Sequence, residues 1–222
     1  MDGNLKEPIG DQVQPTRRKI LLALKQHGGM TAGELAALLG ITSMGVRRHL
    51  MTLERDRLVQ YESAQRGKGR PSYIYHLSQQ AEEVFPKNYA RLANELLGYL
   101  ADEQGDEAII RLFDQRAQRR IRSAQAYLEG LPLSERVAGL TAILNGEGYL
   151  AEWGQSDPET FWIREHNCAI HDIASQHSAA CGSELSFIRA VLPDAEVRRE
   201  HHMMNGGLMC EYRIRHASRS DV

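Results

Sequence analysis

Apolar residues in the first third of the chain return at helical rather than alternating spacing. Residues 16–27, TRRKILLALKQH, place Ile20, Leu21 and Leu24 on one side and run into Gly28-Gly29, where glycine gives the backbone freedom that a helix end uses. A second helix is predicted from Thr31. The stretch TAGELAALLG carries Glu34 three residues after the threonine, the spacing of a capping box, with Leu35 and Leu38 facing inward and Gly40 as terminator. After the turn ITS, residues 43–58 read as a third helix with Thr42 or Ser43 at its N-cap. Val46, Leu50 and Leu53 form its buried stripe, so Met44, Arg48, Met51 and Arg55 project outward. The period then changes, and LVQYES and PSYIYHLS form two β-rich runs around the loop AQRGKGR.

Taken singly, the arginines fit an ordinary solvated helix face and RGKGR an ordinary hairpin loop. Their order decides between readings: helix, helix, turn, helix and wing is what groove reading requires, one helix entering the major groove while phosphate contacts hold its register. The candidate DNA-contacting residues are Ser43, Met44, Arg47 and Arg48 on the third helix. In the wing they are Arg66, Lys68 and Arg70, whose intervening glycines allow close backbone approach. His49 borders the apolar face and is assigned a structural role.

The net charge of -2 hides an uneven distribution. Through residue 80 there are 12 Lys and Arg against 7 Asp and Glu, and beyond it 15 against 22. A basic front joined to an acidic back fits a nucleic-acid-binding module with a separate sensing or dimerising module.

In the back half Pro86 marks a break before YARLANELLGYLADE, a connecting helix with Leu92, Leu96, Leu97 and Leu100 along one side. From Asp106 to Glu129, Ile110, Phe113, Ala117, Ile121, Ala124 and Leu128 recur at steps of three and four until Gly130. That stripe needs a partner, either in the same chain or in a second copy. Beyond Leu133 the pattern is mixed. SERVAGLTAILNGEG reads as a helix, GYLAEW and TFWIREHN as strands across a turn at Ser156 to Glu159, and ELSFIRAVLP as another helix. EVRREHHMM and LMCEYRIRH flank Asn205-Gly206-Gly207, a hairpin signal because consecutive positive-φ positions suit Asn and Gly. The predicted fold class is α+β: a winged helix-turn-helix over residues 15–80, a helical connector and dimerisation region over 81–132, and an α+β module over 133–216.

The opening MDGNLKEPIGDQVQP has no basic stretch leading into an apolar run, and no run of about 18 apolar residues follows anywhere, which predicts a cytoplasmic protein without a membrane span. In a reducing compartment the odd count of three cysteines argues against a disulfide framework. Cys168 follows a strand end, Cys181 opens a helix and Cys210 lies on the terminal strand, none in a CxxC pair. Residue chemistry alone leaves buried inert thiols, metal ligands and redox thiols open. A helix N-terminus favours thiolate at Cys181, and His166, His171, His177, His201 and His202 lie nearby in sequence. Neither a nucleophile elbow nor a phosphate loop nor a dinucleotide glycine pattern is present, so the chain does not read as an enzyme, although a cysteine beside a histidine is a minor option. A small organic effector held among Trp153, Phe161 and Trp162 is another.

The text REHNCAIHDIASQHSAACGSELSFIRAVLPDAEVRREHHMMNGGLMCEYRI closely resembles the SufR family of iron–sulfur-sensing transcriptional repressors. The likeness is carried by His166-Asn167-Cys168, Cys181, Leu192-Pro193-Asp194, Asn205-Gly206-Gly207 and Cys210-Glu211-Tyr212, and with the domain order it extends over residues 15–215. It implies a homodimer, each protomer holding a [4Fe-4S] cluster on Cys168, Cys181 and Cys210. Such a dimer binds operator double-stranded DNA and represses cluster-assembly genes while cluster is plentiful. One departure stands out: cyanobacterial members place a further cysteine directly after LPD, where this chain has Ala195. The fourth ligand is therefore not a cysteine, and His166, His171, His201 and His202 are unranked candidates. The alternative reading is the same regulator sensing oxidants by thiol chemistry, or binding zinc through these cysteines and a histidine.

Overall fold

The computed structural model describes residues 13–64 and 72–217. The chain forms two compact units that divide between Lys87 and Asn88.

The first unit contains α1 (Pro15–His27), β1 (Met30–Thr31), α2 (Ala32–Leu39), α3 (Ser43–Arg55), β2 (Val59–Ala64), β3 (Ser72–Leu77) and a 3-10 turn at Gln79–Val84. Local chemistry fixes each helix start. Gln14 accepts from the Arg17 amide ahead of Pro15, and Thr42 accepts from the Gly45 amide at 3.1 Å. The capping box of α2 is complete, with the Glu34 amide donating to Thr31 and the Thr31 amide to Glu34. Ile20, Leu21, Leu24, Leu35, Val46, Leu50 and Leu53 make the core. Leu38 does not join them and is 52% exposed. Helix α2 instead turns Ala32, Leu35, Ala36 and Leu39 toward the core, the i, i+3, i+4, i+7 stripe, which leaves Leu38 on its flank.

Strand β3 is central and antiparallel to both β1 and β2. The two-residue β1 is too short to carry a sequence signal. Its approach explains Gly29, where an added Cβ would come within 2.2 Å of the His76 ring. The loop between β2 and β3, with Arg66, Lys68 and Arg70, lies outside the described residues.

The second unit contains α4 (Tyr89–Gln104), α5 (Asp106–Leu128), α6 (Leu133–Gly146), β4 (Ala151–Asp157), β5 (Thr160–Glu165), α7 (His171–Ala174), α8 (Ala179–Val191), β6 (Ala195–His201), a 3-10 turn at Met203–Asn205 and β7 (Cys210–His216). The strands form an antiparallel sheet in the order β4-β5-β7-β6. Period-two alternation turns Phe161, Ile163 and Glu165 of β5, Cys210, Tyr212 and Ile214 of β7 and Val197 of β6 inward. The opposite face is polar, with Arg164 paired to Glu211 at 2.5 Å, Arg213 to Glu200 at 3.1 Å, and the Arg164 guanidinium over Trp162.

Helices α5, α6 and α8 close the inner face, and the α5 stripe finds its partner within the chain. That stripe begins at Ile109, buried, rather than at Ile110, which is 42% exposed. Starting one residue earlier keeps a four-residue step to Phe113 and Ala117. Helix α4 buries none of its residues; Leu97 and Leu100 pack toward Phe113, whereas Leu92 and Leu96 stand 53% and 58% exposed. The connection from β6 to β7 is also longer than the two-residue turn that Asn-Gly-Gly suggests. The chain makes a 3-10 turn and only Gly206 takes a positive φ, 85°. Gly207 is needed for space, since a Cβ there would come within 2.9 Å of the His202 carbonyl oxygen. Among the described residues no helix is long and apolar enough to cross a membrane.

Candidate nucleic-acid interface and thiol centre

With Val46, Leu50 and Leu53 turned into the core, helix α3 presents Ser43, Met44, Arg47 and Arg48 to solvent. Met44 and Met51 are 77% and 70% exposed. Neither Arg47 nor Arg48 is held in an ion pair among the described residues, while Arg55 at the far end is tied to Asp56 at 3.2 Å. The free guanidinium groups thus lie in the first half of α3, where a recognition helix meets base edges. His49 sits at the edge of the buried face. Burial, with Arg48 and Arg17 adding repulsion, holds its pKa below the usual histidine value, which fits its structural assignment. Sequence reasoning overlooked an aromatic pair on the wing strands, Tyr61 against Tyr73 edge-to-face at 4.8 Å, both about half exposed; alternation in a six-residue strand gave no reason to single them out.

In the second unit the three cysteines, all free thiols, come from three elements. Cys168 lies in the loop just beyond β5, Cys181 in the first turn of α8, and Cys210 at the start of β7. Cys168 and Cys181 pack into a small apolar cluster with Phe113, Ala174 and Ala180, whereas Cys210 belongs to the main core. Cys168 and Cys181 thus share one cluster, and Cys210 stands on β7 directly opposite Glu165, three residues before Cys168. Burial is the leading cause that pushes all three thiols up, Cys210 to about 11, and the Glu165 carboxylate adds to it at each. Arg199 opposes the rise at Cys181 and Cys210. At Cys181 burial therefore outweighs the pull toward thiolate expected of a helix start. Two backbone contacts frame the group: the Met203 amide donates to Cys210 Sγ at 3.5 Å, and Arg199 Nη1 donates to the Cys181 carbonyl at 3.0 Å.

Among the described residues no three His, Cys, Asp or Glu side chains converge on one point as the ligands of a single metal ion do. A polynuclear iron–sulfur group spreads its ligands around a larger body and is served by thiols from separate elements. The donor chemistry fits such a group: three soft sulfur atoms, and a buried carboxylate, Glu165, with Oε1 unpartnered. The histidines divide sharply. His166 and His171 are exposed beside Glu152 and Asp172, and His201 is exposed, but His177 and His202 each have a buried Nε2 without a hydrogen-bond partner.

Comparison with family models matches residues 13–62 to the helix-turn-helix domain described as HTH_20. Residues 13–62 form a helix-turn-helix domain. No curated protein matches the chain. Among solved structures, the transcriptional regulator Tm0710 from Thermotoga maritima is similar at 21% identity and a TM-score of 0.32, over 52% of this chain and 78% of its own. PcaV from Streptomyces coelicolor, solved with its natural ligand, is similar at 18% identity and 0.32, over 47% and 72%. PadR from Bacillus subtilis, solved with operator DNA, is similar at 13% and 0.30, over 60% and 91%. Such values are too low to carry a function across.

Outside the helix-turn-helix domain, a buried polar network joins α5 to the helix that carries Cys181. Arg120 donates to both oxygens of Glu184, at 2.9 and 3.0 Å, and to both of Glu147, with its guanidinium stacked 3.9 Å from the Phe187 ring centre. The Tyr149 hydroxyl adds a bond to Glu184 at 3.2 Å. Burial, next to the charge of Glu184, pushes Glu165 up to about 8, against the lowering pull of Arg120 and Arg199.

Proposed function

We propose that this chain is a DNA-binding transcriptional regulator, a repressor of iron–sulfur cluster assembly genes, that senses cluster supply through a labile [4Fe-4S] cluster on Cys168, Cys181 and Cys210. The observation that supports the reading is three free thiols on neighbouring elements of one unit, Cys168 and Cys181 in one apolar cluster and Cys210 opposite Glu165, in a chain whose other unit is a helix-turn-helix domain. When bound, the cluster supplies an oxidant-sensitive link among those elements. The residues do the rest. Cys181 and Glu184 are one turn apart on α8, so whatever fixes Cys181 bears directly on the helix that Arg120 ties to α5.

Homodimerisation is supported by the uncovered apolar side of α4, where Leu92, Leu96 and Tyr99 are 53%, 58% and 63% exposed. With Leu92→Glu and Leu96→Glu together, sedimentation is expected to move from the dimer mass to that of one chain; an unchanged dimer places the contact elsewhere. Arg48→Ala is expected to weaken duplex binding by roughly 1–3 kcal/mol, or to lower the salt slope by about one if Arg48 meets phosphate, with iron content unchanged. Loss of iron in that variant contradicts the division of labour between the two units.

The function is tested by selecting duplexes from a random-sequence pool with anaerobic protein, then titrating the selected duplex before and after exposure to air. An affinity loss of roughly 5–150-fold, the usual range of coupling between two sites, is expected. Equal affinity in both states removes the sensing role.

A further inference from the structure

We propose that Glu165 supplies the fourth ligand of the cluster, through the carboxylate oxygen that has no hydrogen-bond partner. The inference rests on the cluster reading given above and names the ligand that Ala195 leaves open.

Glu165 is 2% exposed, and Oε1 has no partner among the described residues. A buried carboxylate oxygen left bare is costly, and such an atom in a folded protein points to a ligand. Its other oxygen has only the Tyr212 hydroxyl at 3.5 Å, the long end of hydrogen bonding. Strand register sets its position. Glu165 ends β5 directly opposite Cys210 on β7, both side chains turned to the inner face, and such cross-strand pairs hold their Cβ atoms roughly 4.5–5.5 Å apart. Cys168 follows three residues later on the same chain segment. The Glu165 carboxylate acts on all three thiols, whereas Glu184 acts on Cys168 and Cys181. Glu165 thus lies within electrostatic range of each sulfur ligand. Arg199 and Arg120 lie within electrostatic reach of it and offset part of the negative charge that three thiolates and a carboxylate bring.

Histidine is the rival donor. His166, His171 and His201 are exposed, the first two beside carboxylates, whereas His177 and His202 each have a buried, bare Nε2; of these only His202 is among the four candidates named above. A carboxylate oxygen is a harder donor than thiolate or imidazole and holds one iron less firmly than sulfur holds the other three. That difference gives the sensor one exchangeable iron.

The full chain is reconstituted anaerobically with ⁵⁷Fe and sulfide and compared by Mössbauer spectroscopy with Glu165→Gln, Glu165→Cys and His202→Ala. Folding of each metal-free variant is checked by circular dichroism. In the wild type one iron in about four is expected to differ from the rest; Glu165→Cys makes the four alike and slows iron loss to a chelator at least about tenfold, while Glu165→Gln speeds it by a similar factor. Should Glu165→Gln fail to fold, Glu165→Cys reads the same ligand by gain of sulfur. An unaltered distinct iron in the Glu165 variants overturns the proposal, and its change in His202→Ala instead assigns the ligand to His202. Failure of the wild type to take up any cluster, with Cys168→Ala behaving identically, overturns the cluster reading itself.

Discussion

Cys210→Ala is expected to give a folded, colourless protein that binds operator DNA weakly. The side chain lost is small and sits at the edge of the main core, 7% exposed, so the fold tolerates it. Iron then falls from about four atoms per chain to below about one, and affinity for the selected duplex falls by roughly 5–150-fold, a coupling of about 1–3 kcal/mol. Cys168→Ala is expected to match it, because Cys168 shares a cluster with Cys181 and follows Glu165, which stands opposite Cys210. The helix-turn-helix domain keeps its own core of Ile20, Leu35 and Leu50 and unfolds as in the wild type. Iron analysis, circular dichroism and duplex titration check the three parts. Full iron content in both variants removes these cysteines from the ligand set.

The largest effect on stability is expected from Arg120→Ala. Its guanidinium serves Glu184 and Glu147 at once and stacks on Phe187, and the Arg120 and Glu184 side chains are only 11% and 6% exposed. Removing it strands the buried Glu184 carboxylate and deprives Glu147 of its partner, and such a loss costs about 3–5 kcal/mol. Urea unfolding of the second unit reports it, and iron uptake falls with it because Cys181 sits one turn ahead of Glu184. The double variant Arg120→Met with Glu184→Gln is expected to recover most of the stability, since both partners of the buried pair are removed and the remaining Glu147 side chain is 30% exposed and can be hydrated. A loss under about 1 kcal/mol in Arg120→Ala contradicts the role given to the network.

The first unit is legible in the sequence because its signals are local. A capping box at Thr31, an N-cap at Thr42 and a stripe at Val46, Leu50 and Leu53 each lie within a few residues, and the structure forms all of them. Errors came where tertiary packing chose among adjacent candidates: Ile109 over Ile110, and Ala36 over Leu38, since a 3.6-residue period leaves each helix free to rotate by a residue until its neighbours are known. The cysteines stood out by their odd number and by the family resemblance, not by their spacing. The charges that condition them did not, because Arg120, Glu165, Glu184 and Arg199 are ordinary charged residues in sequence and acquire their roles by packing, the two carboxylates buried and the two arginines partly so. Glu165 in particular ends an alternating strand at a position the period reserves for apolar residues, the one local hint that it has a task.

The most direct test of the account is an anaerobic purification of the full chain followed by iron, sulfide and zinc analysis with a visible spectrum. The account predicts a brown protein with about four irons and four sulfides per chain and no zinc, bleached by air. Colourless protein that is zinc-loaded or metal-free in repeated anaerobic preparations contradicts it.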